Sequence, residues 1–351
     1  MYSQQNTAES LKEIKIGLLI KNDRSFEARN GAELAVSMVN KKEGPEGIHF
    51  NLVVRSMEGP WGTGSKEVVD LVFEEKVWAI LGSHDGRNAH LVEQVIAKTQ
   101  VVFLSAWASD PTLSQAFVPW YFNCVPNDLQ QADALIEEIY SKRKIAKIAI
   151  VSDRGYDSKL ARESFLKKWK ITGKTAPLQL LYEDPDKDFN ILIDKLVKAD
   201  ANGVLLFAQP AASLQFINQL RQKNMNKPIF GTLALLGEIE FSEGKFANFK
   251  DITFVTSVNW LGSNGIDFKK EFQRKYGKDP TEIAAYAFDG MNLIIEAIKS
   301  SEYDREKVQE AMSKSNYKGV TGTIQFDKRG NRLGNPELKE LINGIPVNIK
   351  K

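Results

Sequence analysis

The chain has 351 residues, of which 42% are apolar and 26% are charged, as in an ordinary globular protein. At roughly 100–200 residues per domain, this length predicts two compact units, each with its own core. Lys and Arg total 47 against 45 for Asp and Glu, and a net charge of +2 argues against nucleic acid or an anionic membrane surface as a partner.

The single cysteine, Cys124, excludes an internal disulfide framework and a zinc site built from several thiolates. The first ten residues, MYSQQNTAES, lack the apolar stretch of a signal peptide, so residues 1–10 are expected to form a disordered leader. They fit either a cytosolic terminus or the spacer left after a signal peptide has been removed. No apolar run approaches the ~20 residues that a membrane-spanning helix needs.

From Ile14 onward, short apolar strands alternate with segments of helical period. The first half contains the strands IKIGLLI (14–20), NLVV (51–54), VWAIL (77–81) and VVFL (101–104), with helices expected over 31–40, 65–75 and 88–98. Near-continuous apolar strands separated by amphipathic helices predict a parallel sheet with helices on both faces.

The same alternation restarts in the second half. Its strands are IAIV (148–151), LQLLY (178–182), GVLLFA (203–208), PIFG (228–231) and ITFVTSV (252–258), with helices expected over 158–169, 188–198, 211–223, 267–276, 283–300 and 305–313. GTIQF (322–326) precedes a terminal hairpin, because Asn343-Gly344 separates the apolar segments 338–342 and 345–349.

Two successive α/β halves predict two lobes, each built on a doubly wound parallel sheet. Ligands of such sheets bind beyond the carboxyl ends of the strands, where the loops gather. If the two sheets face each other, the loops of both line one cleft, which is an architecture for binding.

The glycine-rich and histidine-containing segments lack the patterns of nucleotide, metal or hydrolytic sites. In GPWGTGSK (59–66) the order Ser65-Lys66 reverses the Lys and Ser/Thr of a phosphate-binding loop, and Glu67 replaces the third glycine of a dinucleotide motif, so no cofactor is expected. The three histidines have no metal-binding spacing. His84 and Asp85 are expected to be a polar pair in the cleft wall, because no G-x-S-x-G nucleophile motif accompanies them.

Loops that directly follow the predicted strands supply candidate ligand contacts. After VVFL, the loop 105–111 offers serine hydroxyls and backbone groups, with Trp107 as an apolar wall; a serine-capped helix start is the alternative. Tyr156 and Gln209 follow strands of the second half, with a turn containing a half-exposed tyrosine as the alternative for Tyr156. Arg24 follows the first strand and could clamp a carboxylate, with a solvated charge cluster as the alternative.

Several motifs occur in one order along nearly the whole chain. They are IKIGLLI with NGAELA (30–35) and Asn40, VWAILG (77–82), FLS (103–105) through SDP (109–111), YFN (121–123) with Pro126, Asp128 and Gln130, the turn 153–156, AYAFDG (285–290), and 319–326 with Asp327. In this order they resemble the type I periplasmic binding proteins, in the branch that contains the leucine/isoleucine/valine-binding proteins of ABC transporters.

The resemblance implies an α/β fold of two lobes joined by a hinge that the chain crosses three times, near 122–126, 256–259 and 326–330. The first lobe would comprise residues 11–123 and 258–326, and the second lobe residues 124–257 and 327–351.

The resemblance also implies roles for residues in the cleft. Trp107 would lend its carbonyl to an ammonium, Ser109 would bind a carboxylate, and Gly86 would offer only its N–H where relatives carry serine. Together with the loop residues above, the expected ligand-binding residues are Arg24, His84, Asp85, Gly86, Arg87, Trp107, Ala108, Ser109, Tyr156, Gln209 and Asp289.

The chain also departs from the resemblance. Amino-acid binders of this group carry an acidic residue after the strand matching PIFG, where this chain has Thr232-Leu233. A buried ammonium without a partner would be costly, so Asp85, Asp23 or Asp289 would have to replace that acid. Arg24 and Arg87 point instead to a carboxylate or another anion.

The expected function is that of a non-enzymatic, extracytoplasmic solute-binding protein of an ABC importer. It would bind an amino acid or a small carboxylate, deliver it to permease subunits, act as a monomer, and have lost its signal peptide on the way to the periplasm. The alternatives are a ligand-sensing receptor module of the same fold that controls a regulator and, less favoured, a nucleotide-dependent enzyme.

Overall fold

The structure is a computed structural model that describes residues 13–23, 25–44, 46–60, 62–183, 188–239 and 249–349. In chain order, its strands and α-helices are β1 (Glu13–Ile20), α1 (Phe26–Glu43), β2 (His49–Ser56), α2 (Thr63–Phe73), β3 (Ala79–Ser83), α3 (Gly86–Thr99), β4 (Val102–Ser105), β5 (Tyr121–Asn123), α4 (Asp128–Ile136), β6 (Ile148–Asp153), α5 (Tyr156–Ile171), β7 (Leu178–Tyr182), α6 (Asn190–Lys198), β8 (Gly203–Phe207), α7 (Pro210–Gln222), β9 (Ile229–Gly231), β10 (Ile252–Val255), α8 (Ser263–Tyr276), α9 (Glu282–Ser300), α10 (Val308–Ser313), β11 (Tyr317–Gly319), β12 (Gly322–Ile324), β13 (Leu338–Ile342) and β14 (Ile345–Asn348).

The first sheet is parallel throughout its described strands and has the order β2-β1-β3-β4-β5. One face packs against α1 and α9, and the other face packs against α2 and α3. Helices α1 and α9 approach closely at Gly31, where a Cβ would overlap the carbonyl oxygen of Ala284. Apolar strands covered on both faces explain why the sequence shows continuous apolar runs rather than alternation.

The second sheet has the order β14-β13-β10-β9-β8-β6-β7. Strands β6 to β10 are parallel, and the predicted terminal hairpin is confirmed by the antiparallel pairing of β13 with β14 and of β13 with β10. Asn343 and Gly344 form the hairpin turn with φ of 51° and 83°, which asparagine and glycine tolerate. Helices α4 and α5 cover one face, and α6 and α7 cover the other.

Three chain segments connect the two lobes side by side. The N–H of Asn123 donates to the carbonyl of Gly330 (2.8 Å), and the N–H of Thr256 donates to the carbonyl of Glu337 (3.0 Å). The predicted fold of two doubly wound lobes joined by three crossings is confirmed, whereas the residue limits given above for each lobe stay a prediction.

Several elements differ from the sequence-based expectation. Helix α4 was not predicted, although Asn127 and Gln130 form a reciprocal capping box at its start, which is a readable signal. The strand predicted at 77–81 begins at Ala79. The N–H of Val77 instead bonds to the carbonyl of Leu71 and ends the preceding helical turn. None of the described helices combines the length and apolar character that crossing a bilayer requires.

Candidate functional site

A cavity of about 310 Å³ lies between the two lobes. Loops at the carboxyl ends of β1, β3 and β4 line it from the first lobe, and loops that follow β6, β8 and β9 line it from the second. Ligands of open parallel sheets bind at this position, beyond the carboxyl ends of the strands. The volume falls in the range of about 300–1,000 Å³ that is common for small-molecule sites. We call this space the inner cavity; a wider groove outside it, lined among others by Arg87, Tyr156 and Glu183, is the outer cleft.

The loop after β4 supplies a hydroxyl and an aromatic wall to the inner cavity. Trp107, Ala108 and Ser109 all line it, as predicted from their position. The Trp107 ring packs edge-on against Tyr286, with ring centroids 6.1 Å apart, and leaves no room for a Cβ at Gly237 of the opposite lobe. The Ser109 hydroxyl donates to Asp128 Oδ1 (2.7 Å). Trp107 therefore closes one side of the cavity, while Ser109 and Asp128 form a polar side.

His84 and Asp85 do not form a hydrogen-bonded side-chain pair. His84 is buried and stacks on Phe103, and its Nδ1 lies 3.1 Å from the backbone carbonyl of Asp85. Burial lowers the pKa of His84, so its imidazole is neutral. Asp85 caps α3 and accepts from the N–H and the side-chain amide of Asn88, both at 2.9 Å. Both residues line the inner cavity, as expected for a polar wall rather than an acid–base pair.

Gly86 and Asp157 join the two lobes across the cleft. The Gly86 N–H, which was expected to serve a ligand, donates to Asp157 Oδ1 (3.0 Å). A Cβ at Gly86 would lie 2.9 Å from the Asp110 Cβ and 3.1 Å from Asp157 Oδ1, so only glycine permits this approach without a shift. Burial raises the pKa of Asp157 to about 6, and the nearby Asp85 adds to the shift.

Tyr156 makes a second bond between the lobes. Its hydroxyl donates to Asp110 Oδ2 (3.1 Å), and burial together with this carboxylate raises the Tyr156 pKa to about 12. Tyr156 lines the outer cleft and not the inner cavity, so the structure gives it contact with the opposite lobe rather than with the cavity.

His90 holds Asp110 in place for Tyr156. Its Nε2 lies 3.0 Å from Asp110 Oδ2, and its Nδ1 lies 3.0 Å from Glu93 Oε2. Hydrogen bonds to these two carboxylates, first Asp110 and then Glu93, raise the His90 pKa to about 9, so the ring is protonated at neutral pH. This group could not be predicted from the sequence, because Glu93 follows His90 by one helical turn of α3, where such pairs are common, and Asp110 lies 20 residues away in another segment.

The remaining predicted residues divide by position. Gln209 lines the inner cavity and the outer cleft, and its N–H donates to Asp153 Oδ2 (3.2 Å). Arg87 lines the outer cleft only, and Arg24 lies outside the described residues. Asp289 corrects the expectation, because it is fully buried in α9 and accepts from the N–H groups of Val320 (3.0 Å) and Thr321 (2.6 Å).

Charged residues that the prediction did not include line the inner cavity. They are Lys21, Glu27, Asp128, Asp157 and Glu238. Glu238 comes six positions after Thr232, and Asp128 and Asp157 lie in the first turns of α4 and α5. Acidic residues at helix starts are common because they complement the helix dipole, so the sequence alone could not mark these two as cavity residues. Within the described part of the chain, no cluster of three or more potential ligands could hold a metal ion.

Comparison with known proteins assigns the architecture. A family model described as "Periplasmic binding protein" matches residues 13–336. The Leu/Ile/Val-binding protein homolog 1 of Brucella abortus is 23% identical over 314 residues, which cover 86% of this chain and 81% of that protein. The leucine-, isoleucine-, valine-, threonine- and alanine-binding protein of Pseudomonas aeruginosa is 23% identical over 317 residues, with the same two coverages of 86% and 81%.

Solved structures share the fold at low identity. The branched-chain amino acid transporter substrate-binding protein of Streptococcus pneumoniae, in complex with isoleucine, has a TM-score of 0.82 at 20% identity and covers 95% of this chain and 98% of its own. A solute-binding protein of an ABC transporter from R. palustris, in complex with benzoate, has a TM-score of 0.82 at 18% identity, with coverages of 96% and 95%. These two structures therefore hold ligands of different chemistry in one fold.

Proposed function

Because the chain belongs to the periplasmic binding protein family, we propose that it is an extracytoplasmic solute-binding protein that delivers a small polar ligand to the permease of an ABC importer. The observation that carries this proposal is the inner cavity, which is lined by loops from both lobes and bridged by hydrogen bonds between them. Its relatives are solute-binding proteins rather than enzymes. We further propose that the protein acts as a monomer and that it reaches this location by means of a signal peptide.

Ligand binding would work by closing the hinge. A ligand that contacts both lobes is bound fully only in the closed state, so it draws the open–closed equilibrium toward closure. Moving such an equilibrium from 1:99 to 99:1 requires about 5.5 kcal/mol of preference for the closed state. Several charged hydrogen bonds at about 1.5–3 kcal/mol each, together with contact on Trp107, supply a preference of this size.

The charge of the inner cavity favours an amino acid over a plain carboxylate. Its described lining carries five acidic residues and one lysine, Lys21. The acid that was expected after PIFG is absent, but Glu238, Asp128 and Asp157 offer carboxylates that could hold an ammonium. Backbone N–H groups at the start of α7 and the loop at Ser109 could hold an α-carboxylate.

A thermal-shift screen against amino acids, small carboxylates and aromatic acids tests the proposal. A ligand at 100 times its dissociation constant stabilises the folded protein by about 2.7 kcal/mol. Ala234 lines the inner cavity and is half-buried, so Ala234→Trp should fill the space and abolish the shift. Ala311→Trp, at a half-buried alanine of α10 away from the cavity, should keep it. A shift that survives in Ala234→Trp, or no shift with any compound, contradicts the proposal.

A further inference from the structure

The inner cavity contains a buried acid with a free oxygen. Asp128 is 3% exposed and lines the cavity. Its Oδ1 accepts from Ser109, while its Oδ2 has no hydrogen-bond partner among the described residues. Burial raises the pKa of Asp128 well above its usual range, and the nearby Asp157 and Asp110 add to the shift. A ligand in the cavity that brings a donor to this oxygen would therefore gain a hydrogen bond to a carboxyl group.

A second acid lies in the first turn of α5, which packs beside α4 on the second sheet. Asp157 Oδ1 accepts a hydrogen bond from the Gly86 N–H, and Asp157 Oδ2 has no hydrogen-bond partner among the described residues. Burial raises its pKa most, the charges of Asp85 and Asp110 on the first lobe add to the shift, and the Gly86 N–H and Lys21 oppose it. Closure therefore brings carboxyl groups of both lobes together with one described lysine nearby, so the described charges of this region are mainly negative.

The other acidic residues of the cavity do not remove this imbalance. Glu27 pairs with Lys278, and Asp85 is occupied as the cap of α3. Glu238 is exposed and has no ion pair within the described ranges. The groups left to interact with a ligand are thus mainly acceptors: Asp128, Asp157 and Glu238.

We infer that the solute bound in the inner cavity carries a net positive charge, as an amine or guanidinium compound, and that Asp128 and Asp157, at the starts of neighbouring helices of the second lobe, hold its cationic group. The inference rests on the proposed function and narrows its ligand class. It differs from both ligands seen in the similar structures, since isoleucine is a neutral zwitterion and benzoate an anion. A cation at these carboxyl groups removes their mutual repulsion and also the repulsion between Asp157 and Asp85 of the first lobe, so the same contact confers selectivity and favours closure.

Isothermal titration with five probes tests this inference. L-arginine, L-lysine and putrescine are cationic; L-leucine and benzoate are the neutral and anionic comparisons. At about pH 7.5, at least one cationic probe should bind tenfold or more tightly than L-leucine, and benzoate should not bind. Arginine or lysine binding without putrescine would identify a basic amino acid as the source of the cation, and the reverse would identify a diamine.

Two charge-removing variants and a matched control locate the contact. Asp128→Asn and Asp157→Asn should each weaken the cationic probe at least tenfold. Glu183→Gln removes an exposed acid at the outer cleft, where Glu183 pairs with Arg154, and should leave affinity unchanged. Circular dichroism and melting temperatures show whether each variant folds.

The outcomes separate this inference from the proposed function. Tighter binding of L-leucine or benzoate than of every cationic probe overturns the inference and leaves a solute-binding protein. Unchanged affinity in both folded aspartate variants also overturns it. No binding by any cationic probe overturns it as well, and if the wider thermal-shift screen also fails, the proposed function falls with it.

Discussion

Asp157 joins the two lobes through one carboxyl group that titrates near neutral pH. Burial raises its pKa to about 6, Asp85 adds to the shift, and the Gly86 N–H and Lys21 oppose it. A carboxyl whose pKa is raised in the closed state stabilises that state below its ordinary pKa, and this contribution is lost as the pH rises through about 6. Without ligand, closure should therefore be more favourable at about pH 5 than at about pH 8.

A cationic ligand should reverse this preference, because it favours the ionised carboxylate. Binding near pH 6 is expected to release up to about half a proton from Asp157, and binding near pH 8 none from this group. Titration calorimetry in two buffers of different ionisation enthalpy measures the released protons. Asp157→Asn should remove the difference in proton release between the two pH values. Equal proton release at both pH values in the unmodified protein would show that Asp157 does not titrate as described.

His90 is a structural cation beneath the cleft. Its pKa is raised to about 9 by Asp110 and Glu93, so its stabilising contribution is present below its ordinary pKa and is lost as the pH rises through about 9. His90→Gln should lower the free energy of unfolding by about 2 kcal/mol at neutral pH, the usual worth of a hydrogen bond to a charged group. Urea denaturation at pH 7 and pH 10 measures this difference.

The two pH values distinguish the charge of His90 from its packing. At about pH 10 the difference between His90→Gln and the unmodified protein should shrink, because the unmodified imidazole is then neutral. His49→Gln is the control, since His49 lies in β2 and makes no ion pair within the described residues. A loss that is equal at both pH values would mean that His90 acts through packing alone.

At the residue scale, sequence patterns located the cavity loops but not their charge. Trp107, Ala108, Ser109 and Gln209 were predicted because each directly follows an apolar strand, and all four line the inner cavity. Asp128 and Asp157 were missed because an acid in the first turn of a helix has an ordinary explanation as a dipole partner. Their nearness depends on the packing of α4 beside α5 on the second sheet, which no local pattern encodes.

At the scale of elements, helices begin at the cleft from both lobes. Helices α3, α5 and α7 start directly after β3, β6 and β8, so their N-terminal turns face the space between the sheets. The first turns carry the residues that meet across it: Gly86 in α3 and Tyr156 and Asp157 in α5. Closure is thus a contact between helix starts, positioned by the parallel sheets behind them.

The Tyr156 hydrogen bond should contribute to closure and not to folding. Tyr156→Phe removes the donor to Asp110 without changing the ring, and it should weaken ligand affinity about tenfold, since a charged hydrogen bond of about 1.5 kcal/mol corresponds to that factor. The melting temperature without ligand should be nearly unchanged. Tyr140→Phe, in the same lobe and outside the cleft, is the control. Equal affinity in Tyr156→Phe and the unmodified protein would show that this bond does not support the closed state.

Most elements could be predicted from the alternation of strand and helix patterns, but short or polar ones could not. Strands β5 and β11 have three residues each, and β11 pairs only with β12 in the part of the chain that the structure describes. Helix α4 has polar as well as apolar residues on its buried face, and a π-helical turn follows it at Glu137–Lys142. The helical period of its apolar residues is therefore weak. Its capping box was the stronger signal.

At the scale of the whole molecule, two sequence halves become two lobes that share one ligand space. The alternation of strands and helices predicted both sheets, and the Asn-Gly turn predicted the terminal hairpin. Which helices cover which sheet depends on the three crossings, because α8 to α10 return to the first lobe after β10. The crossings were inferred from the family resemblance. The periodicity of strands and helices does not show at which residues the chain passes from one lobe to the other.

The central claim is that a ligand closes the two lobes around the inner cavity. Spin labels at Lys66→Cys in α2 and Lys159→Cys in α5 report the distance between exposed positions that flank the outer cleft on opposite lobes. The native Cys124 can stay, because it is fully buried and burial raises the pKa of its thiol well above the usual range. Double electron–electron resonance is then recorded without ligand and with the tightest-binding probe of the panel. Ligand is expected to shorten the distance by more than about 2 Å and to narrow its distribution, because the hinge closes. An identical distribution with and without a ligand that binds would contradict it.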